Sequence, residues 1–302
     1  MIPTTQQLQQ TLEPAVGAIE QIERKPCPYY SSCVIEELEV RLAGGDVLQI
    51  IFKDLSPHAI FEKARVKPDF IYDSLREIET YRTILSRLSL GTAKCFATVA
   101  EQGRSWLFLE NVLGELLWQA GDLEVWRNAA RWLSRLHEQT LPGPNGGGSH
   151  LLCYDRAYYE QCWQHAAAQN PVLSDMRPVY ERAVHHLLTL PVRLIHGEFY
   201  ASNVLVQGTR ICPIDWEMAA AGPALIDVAA LTAGKWDAEE RTDFVAAYCG
   251  GARPSAAMMH TLECCRLHLA VRLLGWSSDW WPPVAHAHDW RREALVIAEN
   301  LT

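Results

Sequence analysis

The chain has 302 residues, 49% hydrophobic and 21% charged, which suits a folded protein with a sizeable core in one large domain or two lobes. Its formal net charge of −9 argues against broad binding to nucleic acid or an anionic membrane, since both need a positive surface, and it permits a cationic or neutral small substrate. No apolar run reaches membrane-spanning length. The stretch "MIPTTQQLQQTLEPAVGAIEQIERK" has neither the basic nor the apolar region of a secretory leader, and nine cysteines without CxxC spacing read as reduced thiols. A cytoplasmic protein is expected.

In chain order, Ile19 to Leu55 favours strands. "CVIEELEVRL" alternates apolar and charged residues, "GGD" at Gly44–Asp46 signals a hairpin, and "VLQIIFK" returns as the next strand. "DFIYDSLREIETYRTILSRL" then predicts one helix, with Ile71, Leu75, Ile78, Leu85 and Leu88 near one face. "AKCFATVAEQGRSWLFLEN" predicts two more strands around a turn at Gln102 and Gly103.

Beyond Glu110 the pattern becomes helical. "DLEVWRNAARWLSRLHEQ" carries Trp126, Ala130, Leu133 and Leu136 at helical spacing, with Asp122 as N-cap. "PGPNGGGSH" reads as a loop, followed by helices in "YDRAYYEQCWQHAAAQ" and "MRPVYERAVHHLLTL". Two short strands, "RLIHG" and "NVLVQGTRICPID", interrupt the helices, and the remainder is helical apart from a break at "SSDWWPP". The expected fold is α+β: a small antiparallel sheet with one main helix in residues 1–110, then a larger, mostly helical part in residues 111–302.

The stretch "LIHGEFYASNVLVQGTRICPIDWE" carries the chemistry. Phosphoryl transfer needs a metal held by carboxylate and amide oxygens, a cation on the nucleotide phosphates, and a carboxylate aligned with the attacking hydroxyl. His196, Glu198 and Asn203 have the spacing H-x-[acid]-x-x-x-x-N, and Asp215 ends the apolar strand "RICPID". On these residues the chain resembles the aminoglycoside phosphotransferase and choline-kinase-like superfamily, small-molecule kinases with a bilobal protein-kinase-like fold. The family's catalytic loop reads HGD, four residues, then Asn, where this chain has "HGEFYASN"; its metal element reads IDW or IDF plus an acid, where this chain has "IDWE". "ARWLSRLHE" and "GPALIDVAAL" resemble the flanking family elements.

The resemblance implies ATP, or alternatively GTP, with Mg²⁺. It makes Lys53 the strand lysine of the nucleotide phosphates, with Glu77 in preference to Glu79 as its helix partner. Glu110 to Val112 become the adenine hinge, Asn203 and Asp215 the metal ligands, and Glu198 the catalytic carboxylate. Asp227 and His196 become structural. Two features depart from the family: "CPYYSSC" has no glycine to cover the phosphates, leaving Ser31 and Ser32 as candidate donors, and Glu198 stands where the family has Asp. Both acids have ordinary pKa values near 4, so the role can survive, on a longer and freer side chain.

Taken singly, each residue has a plainer reading: Lys53 as an exposed strand end, Glu77 as a solvated helix residue, Asn203 as a turn residue, Asp215 and Glu217 as acids opening a helix. Together, in family order, they point to an enzyme. The aromatic stretch near Trp276, Asp279, Trp280, Trp281, His286 and His288, with Tyr158, Tyr159 and Trp163, reads either as core packing or as a substrate wall for a cation. Tyr158, Trp276, Trp280 and Asp279 are the substrate candidates. The expected activity is transfer to a hydroxyl of a small molecule such as an antibiotic, an amino alcohol or a natural-product intermediate. The alternative is an impaired kinase-like nucleotide binder acting as a regulator or scaffold. A protein kinase is disfavoured because "HGE" lacks the HRD arginine and no APE-like stretch follows. Oligomeric state is not legible.

Overall fold

The computed structural model describes residues 3–28, 33–60, 67–101, 103–141, 148–234, 236–276 and 288–302. A first helix, α1 (Thr5–Val16), precedes a sheet of β1 (Ile19–Pro26), β2 (Val34–Leu42), β3 (Val47–Asp54), β4 (Cys95–Glu101) and β5 (Arg104–Glu110), ordered β1-β2-β3-β5-β4 with every neighbouring pair antiparallel. The turn between β2 and β3 needs its glycine: Gly45 has φ +93°, in the left-handed region.

The period-2 alternation of β3 sets which of its side chains meet the main core. Ile50 and Phe52 point to one face, where they join Leu38, Val40, Trp106 and Phe108 in a core roofed by Leu8 and Leu12 of α1. Ile51 lies on the opposite face, against the main core, and Lys53 follows it there two residues on. Helix α1 was not among the expected elements. Its signals are a capping box, Thr4 with Gln7, and the i, i+4 pair Leu8 and Leu12, both fully buried and worth about 1.5–3 kcal/mol each.

The helix expected over "DFIYDSLREIETYRTILSRL" is broken. Only α2 (Arg76–Thr83) is α-helical, flanked by single 3-10 turns at Asp69–Ile71 and Leu85–Arg87. Asp73 accounts for the late start: its Oδ1 takes the Leu75 N–H at 2.9 Å, a local bond that competes with helix. Leu75, placed on the apolar face by periodicity, is accordingly exposed.

The C-terminal part contains α3 (Leu123–His137), α4 (Arg156–Gln169), α5 (Arg177–Leu187), α6 (Leu225–Leu231), α7 (Ala238–Tyr248), α8 (Ala256–Leu274) and α9 (Trp290–Asn300). Asp122 caps α3 as expected, accepting the Glu124 N–H at 2.8 Å. Two small sheets are set among these helices. Strands β6 (Glu115–Leu116), β9 (Val204–Gln207) and β10 (Arg210–Pro213) form one, and β7 (Leu152–Cys153), β8 (Val192–Ile195) and β11 (Ala220–Pro223) the other. The loops of interest leave the ends of these strands, 196–203 between β8 and β9 and 214–219 between β10 and β11. Among the described residues no helix is long and apolar enough to cross a membrane.

Candidate active site

Loop 196–203 is held from beneath by one buried carboxylate. Asp227, in the first turn of α6, accepts the N–H groups of His196 at 2.7 Å and Gly197 at 2.8 Å, and lies 3.1 Å from His137 Nε2 on α3. His196 Nε2 donates to the Ile214 carbonyl at 2.9 Å and Nδ1 accepts the Glu198 N–H at 3.3 Å. Both bonds suit a single neutral tautomer, and burial lowers the imidazole's pKa in the same sense. Gly197 has φ +82°, and a Cβ there would sit 2.3 Å from the Met218 carbonyl oxygen, so the two loops meet at a point only glycine permits. Removing the Asp227 carboxylate strands two buried N–H donors at about 1–3 kcal/mol each. Asp227→Ala is therefore expected to shift the urea unfolding midpoint sharply downward, and an unshifted midpoint would contradict this account of the loop.

Lys53 is nearly fully buried. Its Nζ donates to both oxygens of Glu77, at 2.9 and 2.8 Å, and to Asp215 Oδ1 at 2.8 Å. Burial opposes the lysine's charge, but Asp215 and Glu77 outweigh it and hold the pKa well above its ordinary value. Burial raises Glu77 to about 7 against the pull of Lys53, while the Asp215 carboxyl, despite burial, is held at about 2 by Lys53 and Lys67. Glu79 instead pairs with Arg82 on the helix surface at 2.7 Å.

Asp215 has φ +66°, the sole non-glycine residue with positive φ among those described. A left-handed Asp costs roughly 1–2 kcal/mol, and it persists here because Lys53 and the adjoining loop hold it. Asn203 is tied to the same place by the Ile214 N–H, which donates to the Asn203 carbonyl at 2.9 Å. Its side-chain Nδ2 donates to the Glu198 carbonyl at 3.0 Å, which assigns the amide orientation and turns Oδ1 the other way. An anionic Asp215 and the Asn203 amide oxygen fit the hard-oxygen chemistry of Mg²⁺, which usually takes one or two carboxylates and completes its shell with phosphate and water. Among the described residues no group of three or more His, Cys, Asp or Glu is arranged to hold a metal ion.

Glu198 is buried. Its Oε2 accepts from Lys67 Nζ at 2.7 Å, and its Oε1 has no hydrogen-bond partner among the described residues, with Arg272 Nη2 3.9 Å away. Arg272, 1% exposed on α8, donates to the Tyr154 hydroxyl and the Gly197 carbonyl, both at 2.9 Å, and to the Tyr200 hydroxyl at 3.2 Å. Lys67 also contacts Glu217 Oε1 and lies over the Trp276 ring, 5.3 Å from its centroid. Burial raises the Glu217 carboxyl against the pull of Lys67.

The remaining expected residues are placed as follows. The Glu110 N–H donates to the Lys94 carbonyl, the Asn111 N–H donates to Gln49, and the buried Val112 has no backbone hydrogen bond from its N–H among the described residues. The Glu110 carboxylate pairs with Arg210 at 2.6 Å, which lowers its pKa. Tyr158 is buried against Tyr154, with centroids 4.3 Å apart, and Tyr159 and Trp163 are likewise core. Trp276 joins the Glu198–Glu217 cluster through Lys67. Ser31, Ser32, Asp279, Trp280, Trp281 and His286 lie outside the described residues. His288, the other histidine of that stretch, pairs with Glu293.

Lys67 and Arg272 were not anticipated. "RVKPDF" gives no periodic signal for Lys67, whereas a lone arginine in the apolar run "HLAVRLLGW" was a readable sign of a buried, partnered charge.

Solved structures share this architecture at low identity. The microcompartment-associated aminopropanol kinase is 17% identical with a TM-score of 0.63, over 99% of this chain and 94% of that one. The Plasmodium vivax ethanolamine kinase is 13% identical at 0.61, over 93% and 81%. The streptomycin–ATP–APH(2")-IIa ternary complex is 14% identical at 0.56, over 99% and 97%. No curated protein matches the sequence significantly. The family model described as "Phosphotransferase enzyme family" matches residues 64–262, well over half of the chain and inclusive of Glu77, Glu198, Asn203, Asp215 and Asp227. The chain thus belongs to the phosphotransferase enzyme family, on the kinase-like fold of the small-molecule kinases.

Proposed function

We propose that the protein transfers the terminal phosphoryl group of ATP to a hydroxyl of a small molecule, with Glu198 accepting the hydroxyl proton. The observation that carries this reading is Glu198 Oε1, a buried carboxylate oxygen without a hydrogen-bond partner among the described residues, in the loop that also carries Asn203. The acceptor oxygen forms its bond to phosphorus as the bond to the departing ADP oxygen breaks, and the hydroxyl proton passes to Glu198. Because such transition states are loose, the carboxylate acts chiefly by orienting the nucleophile. Lys53 would meet the nucleotide phosphates and the 110–112 segment the base. Asn203 and Asp215 would hold Mg²⁺, which when bound neutralises charge on the phosphate oxygens.

Residues 1–110 and 111–302 are taken as the nucleotide-binding and catalytic lobes. The carboxylates of Glu77, Glu198, Asp215 and Glu217 outnumber the cations that pair with them, Lys53, Lys67 and Arg272, which favours a cationic acceptor of the amino-alcohol or aminoglycoside kind. Calorimetry with Mg²⁺ and a non-hydrolysable ATP analogue tests the nucleotide half of this reading. A folded protein that binds none at millimolar ligand would exclude it. Assays of ADP release with ethanolamine, aminopropanol and streptomycin test the acceptor half. Binding without any turnover would favour the regulatory alternative.

A further inference from the structure

The segment before α2 sends one side chain into the catalytic loop. Lys67 Nζ, on a side chain 9% exposed, meets Glu198 Oε2 at 2.7 Å, touches Glu217 Oε1 and lies over Trp276. Its position is stapled. The Lys67 N–H donates to the Tyr72 hydroxyl at 3.3 Å, and Arg76 Nη1 donates to the carbonyls of both Ile71 and Glu217 at 2.8 Å. The loop bearing Lys67 and the loop bearing Glu217 are therefore joined through one buried guanidinium.

We propose that Lys67 is the positioning residue for Glu198: its ammonium fixes Oε2, so that Oε1 is the oxygen presented to the acceptor hydroxyl. This rests on the phosphotransferase reading above and explains the residue type at position 198. A glutamate has one more rotatable bond than an aspartate, and an unrestrained one spreads over rotamers that misplace the carboxylate. The ammonium removes that freedom, and the added methylene spans the gap between the loop and Lys67. Glu198 and Lys67 are then one unit, and shortening the acid breaks the pair as surely as removing the amine.

The test measures ADP release from Mg·ATP with ethanolamine, streptomycin or water as acceptor. Lys67→Met is expected to lower kcat on the order of 10²-fold with KM for ATP unchanged, the usual penalty of misplacing a reacting group by about an ångström. Glu198→Asp is expected to lower kcat as well, and the double variant Lys67→Met/Glu198→Asp to be no slower than the slower single variant, because both sever the same contact. Lys67→Gln, which keeps a donor of similar reach, carries the comparison if Lys67→Met fails to fold, and is expected to retain part of the activity. Multiplicative losses in the double variant overturn the proposal. So does a Lys67 variant as fast as the parent or faster, since the ammonium would then be blocking the acceptor's place. A parent that binds Mg·ATP yet releases no ADP with any acceptor overturns the transferase reading, and this inference with it.

Discussion

Replacing Asp215 by Asn is expected to lower phosphoryl transfer roughly 10³-fold or more while the protein stays folded, since on the proposed reading Asp215 holds the metal and several kcal/mol of transition-state stabilisation pass through it. Asn is the informative substitution because it tolerates the left-handed backbone at φ +66°. Asp215→Ala adds backbone strain to the electrostatic loss, so it is expected to be at least as inactive and less stable. The same change deprives Lys53 of one of its anions, leaving Glu77 as its partner. Asn203→Ala is expected to lose less, because water can replace a neutral amide oxygen. Steady-state turnover alongside a thermal melt separates the contributions. Near-parent turnover in Asp215→Asn would remove Asp215 from the metal site.

Glu198→Gln is the second large effect. The amide cannot take the acceptor's proton, and a loss of about 10²–10⁴-fold in kcat is expected with nucleotide affinity unchanged. The substitution also removes a charge from the buried pair with Lys67, so the melting temperature should fall along with kcat. Glu198→Asp restores the acid the family uses, in a loop built for the longer side chain. Withdrawing the carboxylate by roughly 1.5 Å parts it from Lys67 and from the acceptor. A slower enzyme is expected. If Glu198→Asp instead confers turnover on a parent that has none, the chain is a nucleotide-binding relative that lost its chemistry.

The N-terminal strands and most C-terminal helices were legible because alternation and 3.6-residue periodicity report burial directly, as in β3 and α3. The Lys53–Glu77 contact followed from family order rather than from any local feature, since a lysine after an apolar strand and a glutamate on a helix are individually commonplace. What failed was the stretch around α2. Ile71, Ile78 and Leu85 are all buried as their spacing suggested, yet Ile71 is cut off from α2 where the Asp73 side chain captures an N–H that a helix would have used, and Leu85 falls in a separate 3-10 turn. Lys67 escaped notice for a related reason. Its partners, Glu198 and Glu217, lie 131 and 150 residues away, and no window of sequence contains all three.

Two separate cores flank the N-terminal sheet, and this has a consequence for how the molecule opens. The layer formed by α1 and the outer sheet face shares none of its buried side chains with the main core. Cooperative units tend to follow such divisions. The outer layer can therefore loosen without disturbing loops 196–203 and 214–219, and amide exchange in α1 and β1 should run ahead of exchange in α6 and α8. Loosening it would bare Phe52, Trp106 and Phe108, a continuous aromatic surface on a sheet whose edge strand β1 has only one neighbour. Such a surface is where self-association begins. Helix α1, which carries none of the candidate site residues, would then set how readily the enzyme self-associates.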